Sequence, residues 1–152
     1  MAINTILLAV GPSDADRIER LAEETIDVAG PTGATVVLAH VFTQSEYDEA
    51  VENLDFDRTR DEVNVDTVAN RHSSIRALAK ALDAATINYE IRGAVGSHGE
   101  QIVDLAEASD ADRVIVGGRR RSPAGKAVFG STAQEIMLSA PCPVTFVRSD
   151  TK

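Results

Sequence analysis

The sequence predicts a single-domain α/β fold: an open five-stranded parallel sheet with helices on both faces, Rossmann-like in its layering. Strand-like apolar runs alternate with helix-like stretches from one end of the chain to the other, the pattern of a parallel sheet whose crossovers are helices. No composition shift, linker, internal repeat or low-complexity segment divides the chain. Its 152 residues suit one domain with a core of its own.

The first strand is read at Thr5–Val10, where an apolar run begins without the basic flank, long apolar segment or small-residue cleavage site of a signal peptide. Ile18, Leu21, Ala22, Thr25 and Ala29 follow at helical spacing. Ser13 with Asp16 three residues later resembles a capping signal, and Gly30-Pro31 reads as the stop. The second strand is Thr35–Val41. From Ala34 to Arg92 there is neither glycine nor proline, and Val65, Val68, His72, Ile75, Ala79 and Leu82 recur at steps of three and four, which predicts one long helix. Ahead of it, Thr43 to Asp57 is acidic and reads as a solvated loop or a short helix.

A third strand at Asn88–Val95 leads into a helix over His98–Ser109 with Ile102, Leu105 and Ala106 on one face. The fourth strand is Arg113–Val116. A last helix starts near Ser131, carries Ala133, Ile136, Met137 and Ala140, and ends at Pro141 before the fifth strand, Val144–Val147.

The net charge of −9 disfavours a nucleic-acid partner, because an acidic surface repels a phosphate backbone. Lysine occurs only at Lys80, Lys126 and Lys152. Excess carboxylate with scarce lysine suits the salt-rich cytoplasm of a halophile; an ordinary acidic soluble protein is the alternative. No apolar run approaches the roughly 20 residues a membrane-spanning helix needs, and the expected location is cytoplasmic. Cys142, the one cysteine, lies between Pro141 and Pro143 and reads as a small buried hydrophobe. His40, His72 and His98 have no spacing that makes a metal site or a nucleophilic triad, and His72 falls at the edge of an apolar stripe.

The chemistry is expected at the carboxyl edge of the sheet, where ligands of open α/β folds bind. Three segments share that edge: Gly11-Pro12-Ser13, Val41-Phe42, and the loop from Gly117 to Phe129. The stretch VIVGGRRRSPAGKAVFGST runs from an apolar strand through a glycine- and arginine-rich loop to a helix start. Such a passage offers backbone N–H groups and a helix dipole to an anion. It ends in no Gly-Lys-Ser/Thr, so it is not a P-loop, and it lacks the dinucleotide fingerprint. The run Arg119 to Arg121 is either a solvated charge run or an anion site; Ser131 with Gln134 forms a capping-box pattern, so Ser131 is either a cap or a ligand.

The stretch VIVGGRRRSPAGKAVFGSTAQEIMLSAPCPVTFVR, with NTILLAVGPS, VVLAHV and GSHGEQIVDLAE before it, resembles the universal stress protein family over essentially the whole chain. The resemblance implies one universal stress protein-like domain over residues 1–152 and a regulatory, stress-response module binding an adenine nucleotide. ATP is the expected ligand, with AMP and ADP open. Nucleotide-binding members carry glycine, two residues, glycine, nine residues, then Gly-Ser/Thr. Gly117 and Gly130-Ser131 match the ends of that pattern, Arg120 stands at its second glycine, and Gly11 replaces the acidic residue many such members carry after the first strand. By resemblance, Val41 and Val116 line the adenine site, while Gly117, Gly118, Arg119, Arg120, Gly130, Ser131 and Thr132 face the phosphates. A homodimer through the last strand is also implied. With no evident general base, at most slow ATP hydrolysis is expected. The alternative, favoured by Gly11 and Arg120, is a member that binds no nucleotide and acts through dimerisation and protein partners.

Overall fold

In a computed structural model, which describes residues 3–53, 64–118 and 131–148, five parallel strands form one sheet in the order β3-β2-β1-β4-β5. They are β1 Thr5–Val10, β2 Thr35–Phe42, β3 Tyr89–Val95, β4 Arg113–Gly118 and β5 Val144–Arg148. Leu8 of β1 pairs in register with Leu38 of β2 and Ile115 of β4, and Val116 pairs with Phe146 of β5. The connections run outward from β1 to β2 and β3, then cross to the other side of β1. The order therefore reverses between β1 and β4.

Alternation along β1 explains the three-layer structure. Ile6, Leu8 and Val10 pack on α1 (Ile18–Thr32) and α4 (Ser73–Ala84), against Leu21, Ala29, Ile75, Leu78 and Leu82. Leu7 and Ala9 face the opposite way, toward Ile102 and Ala106 of α5 (His98–Ala108) and Ile136 of α6 (Ser131–Ser139). A third cluster joins Phe42 at the end of β2 to Val51 of α2 (Gln44–Asn53) and to Val68 and Ala69 of α3 (Val65–Arg71). The Asp112 carboxylate accepts from the N–H groups of Asn4 at 2.8 Å and Thr5 at 3.1 Å, which fixes the entry of β4 beside that of β1 and holds the acid below its usual range.

Helix boundaries depart from expectation at the end of α1 and in the middle of the chain. α1 runs through Gly30 and Pro31 to Thr32, because proline in a last turn removes a single N–H and its fixed φ is helical. The stop is Gly33, left-handed at φ 70°, whose N–H donates to the Ala29 carbonyl at 3.0 Å. The long middle helix is two helices, broken at His72, whose ψ of 136° is extended. Asn64 caps α3 by accepting from the Thr67 N–H at 2.9 Å, and His72 Nδ1 caps α4 by accepting from Ser74 N–H at 3.3 Å. The apolar stripe survives the break because both segments bury their share of it.

The acidic stretch contains α2, opened by a reciprocal capping box in which Thr43 Oγ1 accepts from the Glu46 N–H at 3.2 Å and Glu46 Oε1 from the Thr43 N–H at 2.7 Å. Its residues 54–57 lie outside the described residues. In the turn Pro12–Arg17, Asp14 accepts from the Gly11 N–H at 2.7 Å, while the side chain of Ser13 lies outside the described residues. Within α6, Ile136 is buried but Met137 points outward, 47% exposed, beside Leu138 at 77%. Val41 and Phe42 belong to β2 itself and are buried.

The sheet's outer strand β3 is tied to α3. The Gly93 N–H donates to Asp66 Oδ1 at 2.7 Å, and a Cβ at Gly93 would collide with the Val65 carbonyl, so this crossing requires glycine. Among the described residues, no helix is long and apolar enough to cross a membrane.

Candidate functional site

The reversal of strand order opens a crevice at the carboxyl ends of β1 and β4, where ligands of open α/β sheets bind. Val10 and Gly11 form one side of it, and Val116, Gly117 and Gly118 the other. Val41 and Val116 both project onto the α5 and α6 face, at 2% and 4% exposure, with Ala9 and Ala39 in the same cluster between them. These are core side chains, packed between the sheet and the helices α5 and α6. Gly117 and Gly118 are the last residues of β4, paired with Val147 and Arg148. Ser131 and Thr132 open α6. Arg119, Arg120 and Gly130 lie outside the described residues, as does the rest of the loop that joins β4 to α6.

A charged pair that the sequence reading passed over occupies the crevice. Asp14 Oδ1 accepts from Arg17 Nε at 2.7 Å, while Oδ2 accepts from the Gly11 N–H at 2.7 Å. Asp14 and Arg17 are 5% and 7% exposed, and no other ion pair between described residues is this buried on both sides. The pair rests on Gly117: a Cβ built there would collide with Asp14 Oδ1 and meet Arg17 Nε at 2.8 Å. Gly117 therefore serves packing as well as any ligand. The available signal was the three-residue step from Gly11 to Asp14, the reach of a side-chain cap, but Asp16 stood at an equally plausible step from Ser13.

Behind β1 the three histidines of the chain converge, although their sequence spacing shows no motif. His40 is 3% exposed and stacks on His72 with ring centroids 4.1 Å apart. Its ring also meets Phe42 edge-on at 4.4 Å, and its residue pairs in register with Val10 of β1, while Nδ1 is buried without a partner. Burial, reinforced by His72, lowers His40 to about 4. Burial lowers His72 as well. His98 Nε2 lies 2.8 Å from Glu46 Oε1. Burial pushes the Glu46 carboxyl up, but hydrogen bonds from Thr43 and His98 outweigh it and hold the group below its usual range. Among the described residues, no group of three or more His, Cys, Asp or Glu could hold a metal ion. Cys142 is half-buried, and burial raises its thiol, as suits a packing residue.

A profile of the universal stress protein family matches residues 2–148. A universal stress protein of Mycolicibacterium smegmatis is 31% identical over 91 residues, covering 59% of this chain and 70% of the relative. The structure of a universal stress protein from Archaeoglobus fulgidus is similar at a TM-score of 0.64 and 26% identity, covering 95% of this chain and 98% of the other. A further structure, of the universal stress protein from Archaeoglobus fulgidus in complex with dAMP, is similar at a TM-score of 0.59 and 22% identity, covering 97% and 99%.

Proposed function

The chain belongs to the universal stress protein family, and from that premise we propose that it is a cytoplasmic stress-response module that binds an adenine nucleotide in the crevice between β1 and β4. The observation that carries this reading is the reversal of strand order, with β4 ending on Gly117-Gly118 and α6 beginning at Ser131 on the same edge. The dAMP complex of a structural relative supports an adenine ligand. ATP is the ligand proposed, because Arg119 and Arg120 follow the two glycines in an otherwise acidic chain. In this reading the base lies over the core at Val41 and Val116, and the phosphates lie toward Gly117, Gly118, Arg119, Arg120, Gly130, Ser131 and Thr132. The acidic, lysine-poor composition suits a salt-rich cytoplasm.

The module binds rather than turns over rapidly, since the one carboxylate described in the crevice, Asp14, is committed to Arg17 and the Gly11 N–H instead of being poised beside a water. Mass spectrometry of natively purified protein should find carried-over adenine nucleotide. Calorimetric titration at high salt should then give saturable binding of ATP, ADP or AMP; no heat of binding at millimolar ATP sinks the reading. One observation favours a member that binds no nucleotide and works through protein partners instead: the Asp14–Arg17 pair already fills the space over Gly117.

We also propose a homodimer through β5. That strand is short, lies at the sheet edge and carries half-buried Val144 and Phe146. An unpaired apolar edge of this kind gains by pairing with its symmetry mate. Sedimentation at micromolar concentration in high salt should give a dimer, and a monomer there overturns the assignment.

A further inference from the structure

We propose that the groove between α4 and the open half of β3 is a docking site for an extended acidic segment of a partner protein, which adds to the sheet as a strand beside Tyr89–Ile91 and sets its carboxylates against Arg76 and Lys80. β3 is an outer strand of the sheet, and successive residues of a parallel strand turn their peptide groups to opposite sides. The Val36 N–H donates to the Asn88 carbonyl at 2.9 Å and the Gly96 N–H to the Phe42 carbonyl at 2.8 Å, so Asn88, Glu90, Arg92 and Ala94 turn theirs toward β2. Tyr89, Ile91 and Gly93 turn theirs outward. α3 closes that edge at Gly93, whose N–H donates to Asp66 Oδ1 at 2.7 Å. The backbone N–H and carbonyl groups of Tyr89 and Ile91 have no partner among the described residues.

The groove beside this edge favours one sign of charge. It is a cavity of about 490 Å³ with Tyr89 and Ile91 on the strand side and Arg76, Ala79, Lys80 and Asp83 on the α4 side. Asp83, the one acid among the described residues that line it, accepts from the Tyr89 hydroxyl at 3.0 Å. Arg76 and Lys80 are exposed and form no ion pair among the described residues, in a chain whose net charge is −9. Glu90 and Arg92, the charged residues of the same strand, point to the opposite face and pair with each other at 3.4 Å. Four residues on a helix advance about 6 Å along its axis, and alternate residues of a strand stand about 7 Å apart on one face. Carboxylates at alternate positions of an added strand therefore match the spacing of Arg76 and Lys80, while its N–H and carbonyl groups meet those of Tyr89 and Ile91. A basic segment would be repelled by the same two cations.

In the strand order, β2 separates this edge from β1, so the proposal stands independently of the nucleotide reading. Amide NMR of the isotope-labelled full chain would be followed on titration with a blocked pentapeptide of alternating valine and glutamate. Saturable shifts are expected, larger at the outward amides of Tyr89 and Ile91 than at those of Glu90 and Arg92, which are bonded to β2. A peptide of the same composition with its two glutamates adjacent should bind more weakly, a comparison that needs no variant. The double variant Arg76→Glu with Lys80→Glu, at two exposed positions, should weaken binding about tenfold, as two attractive pairs become repulsive, and should prefer the valine–lysine counterpart. The proposal is overturned by the absence of shifts at millimolar peptide, by shifts confined to β5 at the other edge, by equal affinity for the two glutamate peptides, or by unchanged affinity in the double variant. Equal shifts with glutarate would make the groove a plain anion site, and shifts that grow with protein concentration alone would make a second copy its occupant; either result also overturns the proposal.

Discussion

Replacing Asp14 with alanine is expected to destabilise the fold by about 3–5 kcal/mol, the range for breaking a buried ion pair from one side. The substitution takes the carboxylate from a guanidinium that is 7% exposed and removes the acceptor of the Gly11 N–H. For a domain of this size that corresponds to a fall in Tm on the order of 10 °C. Urea titration of wild type, Asp14→Ala and the double variant Asp14→Leu with Arg17→Met checks the cause. The double variant replaces both charges with apolar groups and should recover part of the loss, because neither member of the buried pair is then left without the other. A loss below about 1 kcal/mol for Asp14→Ala contradicts the buried-pair account. Gly117→Ala should not be additive with Asp14→Ala, since its Cβ disturbs the same pair.

Acidification should cost nearly as much. His40 is lowered to about 4 when folded, so below pH 6.5 the unfolded chain binds the proton that the folded chain refuses. The contribution is fully present above pH 6.5 and is lost as pH falls toward 4. Over that window it amounts to about 3 kcal/mol for His40, and His72, lowered in the same direction, adds to it. Glu46 and Asp112 are also held below their usual ranges, so their contributions disappear at lower pH still. Urea midpoints at pH 7.5, 5.5 and 4.5 should decline steadily, and the decline should be shallower in His40→Gln. Equal declines in the two proteins would place the acid sensitivity elsewhere.

Much of the fold is legible in the chain because its strands are local signals. Thr5–Val10 coincides with β1, and the other strands differ by a residue or two at their ends. Boundaries set by side chains reaching the backbone are harder to read. Gly30-Pro31 looks like a stop but Gly33 supplies one, since what ends α1 is a left-handed residue and not a missing N–H. The stripe from Val65 to Leu82 has unbroken helical spacing across His72, because periodicity records which face is buried and is blind to a single extended ψ.

The site divides along the same line. The strand-to-helix passage from Val114 to Ser131, with Gly117 and Gly118 in it, is contiguous and can be read directly. Asp14 and Arg17 over Gly117, and His40 stacked on His72 beneath Val10, join residues brought together only by the crossovers of the sheet.

The α/β class, the strands, the family and the carboxyl edge that carries the site are legible in the chain alone, since each is written in short-range patterns of apolar and glycine residues. The buried charge pair over Gly117 and the stacking of His40 on His72 follow from the folded arrangement alone. Burial and partnership set the properties of those groups, and both arise from contacts between segments distant in the chain.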